Sequence, residues 1–327
     1  MRGGPLSVLF IAVVASAGLA VGVGRPLKMG RPGSDGSLPL IEPANAHIKF
    51  GDVISVQATA GTGVWCTSTG DPSQAQPFGD QVRFRANADH RRTDHLLFTP
   101  TAMQWRHPLF DLPSAMVVSA AESDSYGATP GPFTMRTYLF ADHGALPVIS
   151  ISAKEEDLFG EDDGLLVAGN GILHIPQPVI DSYTNDPRWW KYPGNYHGRG
   201  KEWERKARMQ VIDVKGDELF QGEVALRNNG QMTRGFPQHA LRVIMDEPMD
   251  AALFSGEGRG TKAMVLRAAG NDQVKAVLRD AYQHALCEGL PFMTSRALTS
   301  VVYINGAYQG VYHLRQRLDE DELARRL

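Results

Sequence analysis

Apolar and polar residues alternate in short runs through the first half of the chain, with the two-residue period of β-strands. The runs span Asp52–Ala58, Gln81–Ala86, Ala115–Ala120 and Phe133–Leu139. Residues that favour turns separate these runs at loop-like spacing. Because several short strands at such intervals are typical of two packed sheets, we predict a β-sandwich over residues 46–145.

The second half of the chain mixes strand and helix patterns, which indicates an α+β fold. A β-branched run at Leu146–Ser152 predicts a strand, and residues 207–226 predict two strands around a turn at Lys215–Asp217. Ser300–Tyr312 predicts a hairpin, because its central Asn-Gly pair accepts the positive φ angles of a tight turn.

A helix is predicted between Gly270 and Gly289. Asn271 or Asp272 can cap its first turn, and Gly289 ends it. The apolar positions that fall on one face are Val274, Val277, Leu278, Ala281 and Ala285. We therefore expect this face to pack against the core.

The first 24 residues have the pattern of a signal peptide. A basic start at Met1-Arg2 precedes an apolar run from Pro5 to Val23 with small residues at Ala15–Ala17. The run is also long enough to span a bilayer, so an uncleaved membrane anchor remains the alternative. Residues 25–45, rich in Gly, Pro and Ser, predict a linker. The protein is thus predicted to be secreted, periplasmic or bound to the cell envelope.

Overall charge and cysteine content narrow the classes of partner. The formal net charge is −3, so neither nucleic acid nor an anionic membrane surface is predicted as a partner. Cys66 and Cys287 fall in different halves of the chain. Two separate thiols are therefore expected rather than a disulfide framework.

Three polar stretches are better explained as loops than as binding sites. Residues 255–262 lack the Gly-Lys pair of a phosphate-binding loop and predict a flexible surface loop. Residues 155–164 carry carboxylates without EF-hand spacing, which favours a solvated acidic turn over a calcium site. Residues 89–95 predict an exposed charged loop, because no third metal ligand is in place. No metal site is predicted.

Aromatic and basic residues are interleaved between Trp189 and Arg199. Such a surface can stack sugars or bases. The favoured interpretation is an irregular loop whose aromatic rings attach it to the core.

Three arginines flank a turn that contains glycine. Arg227 ends one predicted strand, Arg234 follows the turn, and Arg242 lies on the next strand. Guanidinium groups match phosphate oxygens in geometry, so a common face would suit phosphate. The alternative is that each arginine pairs with a surface carboxylate.

Short motifs follow one another in order along the second half of the chain. They are Arg227-x-x-Gly230, Arg234-Gly-Phe-Pro-Gln-x-x-Leu-Arg242, Leu266-Arg-x-x-Gly270-Asn271-Asp272, Arg279-Asp280 and Asn305-Gly-x-Tyr308-x-Gly310-x-Tyr312-x-Leu-Arg315, preceded by Asp157-Leu-Phe, Asn195-Tyr196 and Trp203-Glu-Arg205. This ordered set resembles the spore-coat CotH kinase family. The front of the chain, with Pro100-Thr101 and Thr137–Leu139, resembles the chitobiase C-terminal-like β-sandwich.

The resemblance implies a fold and an activity. The fold would be a β-sandwich front domain followed, over residues 146–327, by the amino-terminal part of an atypical protein-kinase-like domain. The activity would be ATP- and magnesium-dependent phosphorylation of secreted or surface proteins on Ser or Thr. Because kinases mainly position phosphates and neutralise their charge, Arg234 and Arg242 are candidates for nucleotide binding, with Arg227 behind them.

The chain also departs from the family pattern. His239 stands where the family commonly has lysine, and Gln316 stands where it commonly has glutamate. The family's metal-binding and catalytic aspartates follow this region, and none is assigned here, so an active kinase and an incomplete, inactive kinase domain both remain open. The alternative function is a non-catalytic envelope or surface module that binds glycan or protein.

Overall fold

The protein is built mainly of β-strands, which form three sheets in a computed structural model. The structure describes residues 38–59, 63–86, 99–102, 104–123, 130–172, 188–249, 253, 261–320 and 323–324. Two sheets come from the front of the chain and the third comes from the rear.

Seven antiparallel strands form the two front sheets. One sheet has the order β1-β2-β5, with strands Leu40–Glu42, Val53–Gln57 and Gln81–Arg85. The other has the order β4-β3-β6-β7, with strands Gln76–Phe78, Gly63–Thr67, Ala115–Ser123 and Thr134–Leu139. All four predicted strand runs are therefore confirmed.

One hydrophobic cluster joins the two front sheets. It includes Ile54 and Val56 of β2, Val64 of β3 and Met116 of β6, all of them fully buried. Every second residue of β2 is buried, as the alternating pattern predicts. Strand β1 lies inside the range predicted as a linker and places Ile41 in the same cluster.

The rear of the chain forms a closed barrel of seven strands in the order β10-β11-β12-β14-β13-β8-β9. The strands are β8 (Val148–Ala153), β9 (Arg205–Ile212), β10 (Glu218–Asn229), β11 (Ala240–Met249), β12 (Thr261–Arg267), β13 (Ala297–Ile304) and β14 (Ala307–Gln316). Strands β13 and β8 pair in parallel, and the other neighbours are antiparallel. Buried side chains such as Leu226, Val243 and Leu314 form the barrel core.

The helices with described bounds are short. They are the α-helices α1 (Glu155–Phe159) and α2 (Arg279–Leu286), together with several 3-10 turns in the connections. The described part of the chain is thus mostly β, with less helix than the α+β pattern predicts.

Both predicted hairpins of the rear half are present. Strands β9 and β10 are joined by a turn in which Gly216 has a φ of 86°. Strands β13 and β14 are joined at Asn305 and Gly306, whose φ angles are 48° and 82°. Positive φ angles at both central residues are those of the tight hairpin turn that Asn-Gly favours.

The predicted helix between Gly270 and Gly289 is much shorter than its pattern indicates. Residues 270–272 form a 3-10 turn, and α2 begins only at Arg279. Val277 has a φ of 58°, and its carbonyl accepts a hydrogen bond from Nε2 of His313 at 3.1 Å. Val274 is 87% exposed and α2 has no buried residue, so the predicted apolar contact face is wrong. The contact with β14 at Val277 interrupts the helix that the local pattern favours.

Side-chain amides join the front four-stranded sheet to the barrel. Oε1 of Gln221, on β10, accepts hydrogen bonds from the backbone N–H of Met135 at 3.0 Å and from Thr134 Oγ1 at 2.8 Å. Nε2 of Gln221 donates to the Met135 carbonyl at 2.9 Å. Oε1 of Gln210, on β9, accepts from Thr137 N at 2.9 Å. Strand β7 is therefore docked on β9 and β10 through specific polar contacts.

Some predicted features lie outside the described residues: the signal peptide or anchor (1–24), the charged loop (89–95) and most of the glycine-rich loop (255–262). Within the described ranges, no helix has the length and apolar character needed to cross a membrane. Cys66 and Cys287 are both free thiols, as predicted, but only Cys66 is buried, and Cys287 is partly exposed.

Candidate functional site

Arginine side chains lie on the outer face of the barrel. Leu226 and Val243 belong to the barrel core, so their sequence neighbours Arg227 and Arg242 point outward. Arg227 on β10 and Arg242 on β11 are direct cross-strand partners. Opposite residues of an antiparallel pair have Cβ atoms about 4.5–5.5 Å apart. Two of the three arginines predicted to share a face therefore do so.

Two neighbouring arginines of this face have carboxylate partners, whereas Arg242 has none among the described residues. Nη1 of Arg227 lies 3.2 Å from Oε1 of Glu204, and Nε of Arg317 lies 3.5 Å from Oδ2 of Asp319. Arg242 is partly exposed, and its buried Nε has no hydrogen-bond partner in the described part of the chain. Burial and then the positive charges of Arg317 and Arg227 lower the pKa of Arg242.

Arg234 closes the turn that joins β10 to β11. It lies in the 3-10 turn Met232–Gly235 and is 7% exposed. Its Nε donates to the Gly230 carbonyl at 2.7 Å, and its Nη1 donates to the Gly198 carbonyl. Burial, and then the positive charges of Arg199 and Arg227, lower the pKa of Arg234 to about 10. Its guanidinium thus binds the protein's own backbone.

A second charged cluster joins α2 to the barrel. Oδ2 of Asp280, on α2, lies 3.0 Å from Nε of Arg267 on β12 and also contacts Nη1 of Arg315 on β14. Burial lowers the pKa of Arg315, and the charge of Asp280 opposes that change. One carboxylate is therefore shared by two guanidinium groups, and it holds α2 on the outer face of the sheet.

The cluster of Arg267, Asp280 and Arg315 was not predicted as a site from the sequence. All three residues belong to the motifs that carry the family resemblance, but none was given a role. The available signal was an acidic residue on a predicted helix between two strands that carry arginines. Because the three are far apart in the chain, their contact follows only from the tertiary fold.

Glutamine side chains fix the connection between β10 and β11. Nε2 of Gln238 donates to the carbonyls of Gln309 and Val311 at 3.0 and 3.1 Å. Gln273 forms a reciprocal pair with the Gln238 backbone, since its Nε2 donates to the carbonyl at 2.6 Å and its Oε1 accepts from the N–H at 3.3 Å. The connection is therefore held to the β13–β14 hairpin and to the turn before α2.

His239 lies where this connection meets the front half of the chain. Its Nε2 donates to the Thr101 carbonyl at 2.9 Å, and its ring stacks on Tyr196 with ring centroids 5.4 Å apart. Oγ1 of Thr101 donates to the Pro237 carbonyl at 2.6 Å. Burial lowers the pKa of His239 to about 4, although its backbone hydrogen bonds act in the opposite direction. The imidazole is therefore neutral at neutral pH.

Two aromatic side chains that precede β9, Trp190 and Tyr196, pack against other parts of the protein. Tyr196 is fully buried, and its hydroxyl donates to the Tyr192 carbonyl at 3.1 Å. The ring of Trp190 lies edge-on to Phe236, with centroids 6.4 Å apart. These contacts confirm the interpretation that aromatic rings attach this loop to the core. The side chain of Trp189 lies outside the described residues.

The acidic residues 155–164 form α1 and the turns after it. Glu156 pairs with Lys154, and Asp163 pairs with Arg205, with N–O distances of 2.6 and 3.0 Å. Burial raises the pKa of Asp157. Across the described ranges, no three His, Cys, Asp or Glu side chains are grouped so that they could hold a metal ion.

Residues 226–327 match the family model described as CotH kinase protein. The match begins in β10 and contains Arg227, Arg234 and Arg242 together with the Arg267–Asp280–Arg315 cluster. It covers less than a third of the chain. Among the curated proteins compared, none matches this chain.

Proposed function

We propose that this protein is an exported CotH-like kinase, in which the barrel and α2 bind a nucleotide whose phosphate is transferred to Ser or Thr of secreted or surface proteins. Two findings support the kinase assignment: the family match over residues 226–327 and the ion pair between β12 and α2. The export assignment rests on the signal-peptide pattern of residues 1–24.

The ion pair between Arg267 and Asp280 is the observation that carries this proposal. In protein kinases a cation on the third strand must pair with a carboxylate on the following helix before phosphate is transferred. The matched region has the same order of elements, with β10, β11 and β12 followed by α2 and then by β13 and β14. Here the strand cation is arginine, and Asp280 also contacts Arg315.

The arginines would act by binding and neutralising phosphate. Charge is spread over the equatorial oxygens of a transferring phosphoryl group, so fixed cations stabilise it. Of the three arginines predicted to contact nucleotide phosphates, Arg227 and Arg242 lie on the outer face, whereas Arg234 is buried and bonded to backbone carbonyls. Arg267 would be oriented by Asp280, which also fixes α2 against the strands.

Magnesium is implied by the same family. When bound, it would neutralise phosphate charge. The described residues do not offer a suitable group of ligands, so we assign no residue to the metal and derive no step through it.

The front sheets would form a β-sandwich of the chitobiase C-terminal-like type. Support comes from the hydrophobic cluster that β2 of one sheet shares with β3 and β6 of the other. Two antiparallel sheets that share an inner core are the architecture of such sandwiches.

Phosphate transfer tests the proposal directly. The native protein is incubated with labelled ATP, magnesium and secreted proteins from its source, and phosphoserine and phosphothreonine are measured by mass spectrometry. We expect Arg267→Gln and Asp280→Asn each to lower the rate on the order of 100-fold, as removal of a group that stabilises transition-state charge does. Arg83→Gln, at an exposed position of front strand β5, should leave the rate unchanged.

The controls separate catalysis from folding. Thermal unfolding of each variant shows whether a lower rate reflects lost structure. Absence of any transfer by the wild-type protein, or full activity of both cluster variants, would contradict the proposal.

A further inference from the structure

The outer arginine face carries more positive charge than its own carboxylates neutralise. Arg227 is paired with Glu204, and Arg317 is paired with Asp319. Arg242 lies between them in the sheet, directly opposite Arg227 and one strand away from β14, and it has no carboxylate partner in the described part of the chain. The centre of the face is therefore a partly exposed guanidinium without an ion-pair partner among the described residues.

This arrangement is electrostatically unfavourable without a ligand. Like charges directly opposite each other in an antiparallel pair repel. Arg317 and Arg227 both oppose the charge of Arg242, and the two nearby carboxylates reduce this effect only in part. A bound anion would reduce this repulsion.

The surroundings of Arg242 favour a ligand with several oxygens. On β12 its cross-strand neighbour is Val265, which is partly exposed and carries no charge, and beyond Val265 lies Arg315 on β14. Arg315 is committed to Asp280. A guanidinium presents paired N–H donors that match two oxygens of one phosphate.

Arg234 has a different environment. It is buried and donates hydrogen bonds to two carbonyls. Gly230 lies in the turn after β10, and Gly198 lies in the loop that precedes β9. Those contacts give it a structural role in the turn.

We propose that Arg242 is the direct phosphate contact of this face, supported by Arg227 and Arg317, and that Arg234 shapes the turn without touching the ligand. The ligand is a polyphosphate group, carried by a nucleotide if the kinase proposal holds. The naming of a nucleotide rests on that proposal, whereas the anion site rests on the side chains themselves.

Calorimetric titration of the full chain tests this assignment. ATP, tripolyphosphate, inorganic phosphate and adenosine are titrated separately at low and at physiological salt. Arg242→Gln should weaken tripolyphosphate and ATP binding about tenfold, the scale of one lost charge-assisted contact. Arg242→Lys should recover part of the affinity, because it keeps the charge and loses the paired donors. Arg83→Gln is the matched control and should bind like the wild type.

Arg234 gives the opposite pattern. Arg234→Lys should lower the thermal unfolding temperature, whereas Arg242→Gln, which relieves the repulsion among the arginines, should not lower it. Equal affinities of wild type and Arg242→Gln for tripolyphosphate and ATP would overturn the assignment of Arg242. A larger affinity loss in Arg234→Lys, with its unfolding temperature unchanged, would move the contact to Arg234.

The same titration keeps the two proposals apart. Tripolyphosphate binding that depends on Arg242, in a protein that transfers no phosphate, would support the anion site and contradict the kinase. Phosphate transfer that is insensitive to Arg242→Gln would support the kinase and contradict this contact. Much tighter binding of ATP than of tripolyphosphate would identify a nucleotide, and equal binding would identify a polyphosphate.

Discussion

At the scale of single residues, two buried basic side chains of the connections bind backbone carbonyls. Arg234 donates to Gly230 and Gly198, and His239 donates to Thr101. A carbonyl satisfies a buried donor without bringing a second charge into the core, so each side chain can link two loops at low electrostatic cost.

Acid should weaken the fold through His239. Burial lowers its pKa from 6.5 to about 4, so the unfolded chain takes up a proton that the folded protein resists. The contribution of His239 to stability is therefore fully present above about pH 6.5 and is lost as the pH falls towards 4, on the order of 3 kcal/mol in all.

Urea unfolding at about pH 7 and about pH 4.5 measures this contribution. The wild type should lose more free energy of unfolding across this interval than His239→Gln, which cannot titrate at position 239. Equal losses in the two proteins would show that another group is responsible.

At the scale of secondary structure, local patterns predict what local forces decide. The β13–β14 hairpin was predicted because Asn305 and Gly306 accept the backbone angles of its turn. The start of α2 could not be predicted in the same way. It depends on the hydrogen bond from His313 to the Val277 carbonyl, whose two residues are 36 positions apart in the chain. The face shared by Arg227 and Arg242 follows from a hairpin pattern, whereas the bridge from Asp280 to two strands depends on how α2 docks.

The hairpin turn should be sensitive to one buried amide. Asn305 is 1% exposed, its Nδ2 donates to the Ala153 carbonyl, and its Oδ1 accepts from the Ala153 N–H, both at 2.9 Å. Asn305→Ala leaves both groups of Ala153 unpaired and places alanine at a positive φ, so we expect a loss on the order of 3 kcal/mol.

Chemical denaturation of purified variants checks this value. Asn45→Ala is a suitable control, because its side-chain bond to the Lys215 carbonyl is exposed. A cost at Asn305 no larger than that at Asn45 would contradict the role assigned to the buried amide.

At the scale of the whole molecule, the sequence did not predict that the barrel closes or that the front sheets dock on it. The sequence predicts the β9–β10 and β13–β14 hairpins but no strand at β12, and closure depends on the parallel pairing of β8 with β13. The docking of β7 depends on Gln210 and Gln221, which are polar residues with no periodic signature. Such contacts unite segments that the sequence presents as separate modules.

The front sheets and the barrel should therefore unfold together. Gln221→Ala removes three hydrogen bonds across the junction and should lower the free energy of unfolding on the order of 2 kcal/mol. Hydrogen exchange followed by mass spectrometry should show β7 and β9 losing protection at one denaturant concentration in the wild type.

Gln57→Ala, at the exposed end of β2, serves as the control. It should leave unchanged the free energy of unfolding and the denaturant concentration at which β7 and β9 lose protection. A front half that keeps its protection after the barrel has exchanged would contradict the cooperative unit.

The parallel pair of β8 and β13 also delays the completion of the barrel during synthesis of the chain. Ala153 and its hydrogen-bond partner Asn305 are 152 positions apart, so β8 emerges from the ribosome on the order of 10 s before the segment that completes its pairing. During that interval one edge of β8 is an open template for pairing with other chains. Strand closure across so long a segment is slow, so we expect the nascent protein to be prone to association through this edge until β13 has been synthesised.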